Sequence, residues 1–159
     1  MKNAFLLGSV LLLSYFFFAC KKSDNGDLHI PPTSSITFSA GDSLIRYPIN
    51  LVYIQDVYNT HTTLISGQYP DTSSKKGSIS LRLLGDTTGR YAGDSLLVTY
   101  VDGAGNVYYN THDSTNFVQV DKYPKTYNGV VTGSFKIKVA NNSGSVGFSN
   151  GSLIALYQQ

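Results

Sequence analysis

Apolar side chains return at every second position in one stretch of this chain after another. Ile36, Phe38 and Ala40 form one such set, and Ile45, Tyr47, Ile49, Leu51 and Tyr53 form the next. Ile79, Leu81 and Leu83 make a third, and Leu96, Val98 and Tyr100 a fourth. Successive side chains of a strand point to opposite faces, so a sustained period of two describes strands buried on one side and wet on the other. Gly, Asp and Asn clusters separate the runs, as turns require. The same reading predicts strands over 106–110, 116–121 and 129–140. In the last of these Phe135, Ile137 and Val139 face one way and Lys136 and Lys138 the other, and Asn141-Asn142-Ser143-Gly144 then makes a tight hairpin connection to a final strand. Within that strand Ser149-Asn150-Gly151 predicts a bulge or a second turn. Past the N-terminal head, no window of about eleven residues or more keeps a helical period, which leaves room for a short helix at most.

Composition agrees with the pattern. All ten acidic residues are aspartate, which favours turns, and none is glutamate, which favours helices. Tyr, Thr, Val, Ile, Ser and Gly abound, while only five alanines follow residue 20. The expectation is an all-β chain with a single antiparallel β-sandwich or barrel-like domain over residues 34–159.

The head of the chain reads differently. Lys2 precedes an uncharged, mostly apolar run from Ala4 to Ala19, the layout of an export signal over residues 1–19. The run is short for a bilayer span, which takes about 20 apolar residues. Cys20, the single cysteine, follows it directly and is followed by Lys21, Lys22, Ser23 and Asp24. This junction resembles a bacterial lipoprotein signal, with Phe17 where Leu is usual, a loosening familiar in the Bacteroidota. The resemblance implies cleavage before Cys20, acylation of its thiol, and attachment to the outer membrane of the cell envelope. Residues 20–33, polar and closed by Pro31-Pro32, then read as a flexible tether. A lipidated Cys20 leaves the domain without a disulfide, so packing and strand pairing must hold it. Without Lys2, eleven Lys and Arg stand against ten Asp, a balance that gives no case for a nucleic-acid partner.

The C-terminal part carries a second resemblance. "VVTGSFKIKV", a short polar turn and "VGFSNGSL", preceded by "GNVYYNTHDSTNFVQVDKYPKTYNG", resemble the closing strands of small Bacteroidota lipoproteins in families of unknown function. That likeness implies a compact β domain on a lipid anchor and brings no active site with it.

The pentapeptide AGDSL occurs twice, at Ala40–Leu44 and Ala92–Leu96. Gly-Asp-Ser-Leu after an apolar strand resembles the nucleophile motif of GDSL-type hydrolases, in which the serine opens a helix and a D-x-x-H near the C-terminus supplies the base. Here "IRYPINLVYIQ" follows the first copy, alternating and containing Pro48, and no D-x-x-H exists anywhere. A serine with no base in reach is a weak nucleophile. Glycine at positive φ with Asp or Ser capping the turn explains both copies, with Leu opening the next strand. No catalytic residue, metal or other cofactor is therefore expected.

Three further features bear on function. Tyr-Asn-Thr-His appears at Tyr58–His61 and at Tyr109–His112, near Asp56 and Asp113, but neither histidine has a second ligand two residues away that would share its strand face. Eleven tyrosines follow the signal, and clustered phenol rings can stack on sugars and hydrogen-bond their hydroxyls. Asp followed by Ser or Thr and then an apolar residue or Thr resembles the O-glycan acceptor pattern of exported Bacteroidota proteins, which marks Ser43, Thr87, Ser95 and Ser114. The sequence thus predicts a non-catalytic structural or binding domain, held to the membrane through its lipid and meeting an envelope protein or a glycan. A cell-surface glycan-binding accessory module is the alternative, and an esterase a remote one.

Overall fold

The computed structural model describes residues 34–57, 60–126 and 129–157; the signal, Cys20 and the tether lie outside them. Ten strands follow one another: β1 Ser35–Ala40, β2 Ser43–Val57, β3 Thr60–Gln68, β4 Ser78–Leu83, β5 Gly89–Tyr91, β6 Leu96–Val101, β7 Val107–Asn110, β8 Phe117–Lys122, β9 Val130–Asn141 and β10 Gly144–Leu156. Among the described residues the one helical element is a single 3-10 turn at Gly93–Ser95. The predicted hairpin over β9 and β10 is present, with Gly144 opposite Asn141, and the predicted irregularity is a bulge between Phe148 and Gly151, where Asn150 takes φ 51°.

Eight of the strands close an up-and-down barrel in the order β1, β2, β3, β4, β6, β7, β9, β10, and β10 returns to pair with β1. Every pairing in the ring is antiparallel. Of the two expected architectures the chain therefore takes the barrel. Closure removes the free edges that a sandwich would have to protect, and bulges in β1, β2 and β10 bend those strands to follow the curve.

The two strands outside the ring are joined to β9. β7 takes one edge of β9 at Val139 and Ala140. β8 takes the same edge further down, from Lys136 to Thr132, and carries β5 on its outer side. Lys138 lies between the two pairings. Its carbonyl accepts from Thr111 N at 3.1 Å and from Asn116 Nδ2 at 3.1 Å, while its N–H donates to Asn116 Oδ1 at 2.7 Å.

The alternation read from the sequence places the core. Ile36, Phe38, Ile79, Leu81, Leu83, Leu96, Val98, Phe135, Ile137 and Val139 are all buried inside the barrel, whereas Lys136 and Lys138 are exposed. Phe38 and Phe148 meet at 4.4 Å between ring centroids, Tyr100 stands edge-on to Phe148 at 5.0 Å, and Phe135 lies 5.9 Å from Phe38. These rings fill the centre of an eight-stranded barrel, whose interior is about wide enough for side chains alone.

β3 and β5 were not among the predicted strands. β3 buries Thr62 and Thr63 side by side, so no apolar alternation announces its first half. Thr63 is satisfied inside the protein: its Oγ1 donates to Gly85 O at 2.7 Å and meets the Tyr123 hydroxyl at 2.7 Å. A hydroxyl so bonded is buried at little cost, and a polar residue then takes a core position.

Candidate functional site

Strand directions sort the connections into two ends. The β1–β2, β3–β4, β6–β7 and β9–β10 turns all lie at one end, here called the hairpin end. The β2–β3 connection, the excursions through β5 and β8, the start of β1 and the finish of β10 lie at the other.

At the hairpin end an open cleft of about 490 Å³ is walled by Ser43, Leu44 and Ile45 from the start of β2, Ser74, Lys75 and Lys76 from the β3–β4 loop, and Gly103 from the β6–β7 turn. Tyr47, Tyr69 and Tyr100 complete it. Tyr47 and Tyr100 point inward by strand alternation and come up under the cleft, and Tyr69 packs edge-on to Tyr47 at 4.6 Å. Gly77 lies against the Tyr47 hydroxyl and the Val101 carbonyl, too close for a side chain, which is why the loop can press onto the tyrosine.

The loop that brings the lysines is tied to itself. Tyr69 N bonds Gly77 O at 3.4 Å, Ser73 N bonds Pro70 O at 2.8 Å, and the Lys76 ammonium donates to Asp71 O at 3.0 Å. The Lys75 ammonium stands 5.9 Å from the Tyr69 ring centroid, within cation–π reach. Behind the floor, Asp102 organises the β6–β7 turn, accepting from Ala104 N, Asn106 N and Asn106 Nδ2, each at 2.9 Å, and from the Tyr108 hydroxyl at 3.3 Å. Those donors hold its carboxyl below the ordinary carboxylate value, the Asn106 side chain contributing most.

Burial pushes the Tyr47 phenol well above its ordinary value, and its hydrogen bond to Tyr100 adds to the shift. Burial raises Tyr100 too, against the lowering effect of that same bond. Both rings therefore stay neutral and keep their O–H groups at physiological pH. The arrangement offers phenol hydroxyls, an aromatic surface and two ammonium groups, which is equipment for binding.

The two AGDSL copies are both turns, as expected, but of different kinds. Gly41 and Asp42 form the β1–β2 hairpin turn with Gly41 at φ 58°, and Ser43 opens β2, a strand where a GDSL-type hydrolase has a helix. Gly93, Asp94 and Ser95 form the 3-10 turn with Gly93 at φ 55°. Leu44 is 73% exposed on the rim of the cleft, whereas Leu96 is fully buried in the core. Ser43 is at the hairpin end, away from His61, which begins β3 at the other end with its Nδ1 3.6 Å from Asp86, and the Ser95 hydroxyl is bonded to the Ala92 backbone and not to a histidine.

His112 lies in an outer groove of about 370 Å³ with Asp94, Leu97 and Tyr109, and His61 is not among its lining residues. Among the described residues no group of three or more His, Cys or Asp side chains is placed to hold a metal. Ser43, Thr87 and Ser114 are exposed, and Thr87 and Ser114 both lie in connections between strands. Ser95 is half-buried, and its hydroxyl donates to Ala92 O at 2.8 Å and accepts from Ala92 N at 3.0 Å. Of the residues lining the cleft the sequence marked only Ser43 as a candidate site, with Ile45, Tyr47 and Tyr100 entering only as members of alternating strands. The only signal of the cleft itself was the abundance of tyrosine and the isolated Lys75-Lys76 pair.

No protein-family model, curated protein or solved structure matches this chain.

Proposed function

We propose that the chain is a lipid-anchored envelope protein whose barrel is a non-catalytic binding module, with carbohydrate as its ligand in the tyrosine cleft. The observation that carries this is the convergence of Tyr47, Tyr69 and Tyr100 on one solvent-open cleft at the hairpin end. Tyr47 and Tyr100 are buried, so the half-buried Tyr69 ring is the surface that would meet a sugar's apolar ring face, and phenol hydroxyls suit its rim of hydroxyls.

The topology supports the anchoring half of the reading. β1 begins at Ser35 at the end opposite the cleft. By chain connectivity alone, residues 20–33 would link a lipidated Cys20 to that end of the domain.

Two measurements test the reading. Cys20→Ala should abolish lipid incorporation and release the protein from the membrane fraction, and unchanged retention would overturn the anchor. The processed protein should bind a set of oligosaccharides on a glycan array, with the signal lost in Tyr69→Ala. An empty array would overturn carbohydrate and leave an envelope protein as the partner.

A further inference from the structure

The cleft has a charge as well as a shape. Its lining holds two ammonium groups, Lys75 and Lys76, and no carboxylate. Among the described residues the ion pairs are those of Asp86 with His61 and Lys125, so neither cleft lysine is neutralised by an acid. The Lys76 ammonium bonds the backbone carbonyl of Asp71 and not its carboxylate. Asp102, the acid nearest the tyrosine floor by sequence, has its carboxylate taken up by donors of its own turn and by the Tyr108 hydroxyl. An unpaired ammonium beside an aromatic face selects for a ligand carrying a negative group next to an apolar one.

Resting on the reading of the cleft as a sugar site, we infer that its ligand is an acidic glycan. The ring lies against Tyr69 and the anionic group meets the Lys75 and Lys76 ammonium groups. The Lys75 ammonium stands 5.9 Å from the Tyr69 ring centroid, so a cation and an aromatic surface lie within reach of one sugar residue. The Tyr47 and Tyr100 phenols below are neutral, so the floor adds hydrogen-bond donors without adding a repelling charge.

Calorimetry of the full processed protein against matched probes tests this. One pair is an oligogalacturonide and its methyl ester; the other is a sulfated oligosaccharide and its desulfated form. The charged member of at least one pair should bind about tenfold tighter, the effect of a single charge-assisted contact. That preference should vanish in Lys75→Ala/Lys76→Ala, whose exposed side chains contribute nothing to the core, and it should shrink with added salt. Tyr69→Ala should weaken both members of a pair alike. Equal binding within both pairs, or tighter binding of the neutral members, would overturn the acidic ligand and leave the sugar reading standing. No binding to any probe would overturn both.

Discussion

The carboxamide of Asn116 pairs with both backbone groups of Lys138, accepting from its N–H at 2.7 Å and donating to its carbonyl at 3.1 Å. It thereby fills the two-residue gap on β9 between β7 and β8, and Asn110 extends the edge of β6 in a similar way, bonding Val98 N and Leu96 O at 2.9 Å each. An amide side chain carries the same donor and acceptor as a peptide, so it can stand in for a missing strand. Asn116 is only 3% exposed, and water cannot take over. Asn116→Ala should cost about 2–3 kcal/mol in urea unfolding, since a buried backbone group loses its partner. Asn116→Asp should cost no less, because it turns a carboxylate oxygen toward the Lys138 and Thr111 carbonyls. A midpoint unchanged in both variants would show that the gap is not sealed by this side chain.

Gly147 and Gly151 stand four residues apart in β10 and meet opposite surroundings. A Cβ on Gly151 would enter the Phe135 ring, whereas one on Gly147 would meet nothing within 4 Å. Gly151→Ala should therefore destabilise by about 1–3 kcal/mol through overpacking. Gly147→Ala should stay within about 0.5 kcal/mol of the parent. Thermal unfolding of the two variants side by side is the check, and the reverse order would contradict the packing described.

Acid should loosen the hairpin end. Asp102 is held below the ordinary value of 3.8 by the Asn106 side chain first, then by the Asn106 and Ala104 backbone N–H groups and Tyr108, with desolvation opposing. A lowered folded value means that its contribution is present above the unfolded value and is lost as pH falls through the folded one. Asp102→Asn should therefore destabilise the protein near neutrality, with the gap to the parent narrowing as the pH drops below about 4. Asp113, lowered by the Thr115 backbone and side chain, adds to the parent's acid limb and should keep the variant's curve from becoming flat.

At high pH the sign reverses. Tyr123 is pushed up to about 12 from 10.0, chiefly by burial, and burial also raises Tyr47 and Tyr100. The fold keeps these phenols protonated while the unfolded chain releases the protons at the ordinary value. Stability should therefore be full below about pH 10 and fall as pH rises toward about 12. Phenolate absorbance should show a late group of tyrosines that ionises together with loss of the fold. A single smooth titration of every tyrosine near the ordinary value would contradict their burial.

The strands whose inward faces are apolar throughout, such as β4 and β6, could be read from alternation alone. β3 could not, because Thr62 and Thr63 are both buried and the inward Thr63 hydroxyl is satisfied only by partners distant in sequence, Gly85 and Tyr123. Nothing local distinguishes a barrel from a sandwich. That choice rests on Ile36 meeting Leu153 across the seam between β1 and β10, a contact between the two ends of the domain. The cleft was hidden for the same reason. Tyr47, Tyr69, Lys75 and Tyr100 come from β2, the β3–β4 loop and β6, so their number could be counted but their meeting could not be foreseen. Asn116 reads in the sequence as the first residue of a strand over 116–121, and its role exists only because β7 and β8 share an edge of β9.

The repeated pentapeptide offers the sharpest contrast between identical sequence and different physics. In the second copy the Ser95 hydroxyl closes a ring with the Ala92 backbone, donating at 2.8 Å and accepting at 3.0 Å, just before Leu96 enters the core. In the first copy Ser43 is exposed at the rim of the cleft, beside an exposed Leu44. Removing a hydroxyl that makes two partly buried bonds should cost about 1–2 kcal/mol, so Ser95→Ala should lower the unfolding midpoint. Ser43→Ala, at an exposed position, should stay within about 0.5 kcal/mol. If the cleft takes the proposed glycan, the variants should separate the other way in binding, since only Ser43 borders it: Ser43→Ala should change the affinity and Ser95→Ala should not. Equal stability losses in the two variants would mean that the pentapeptide acts through its own sequence, and not through the turn that each copy occupies.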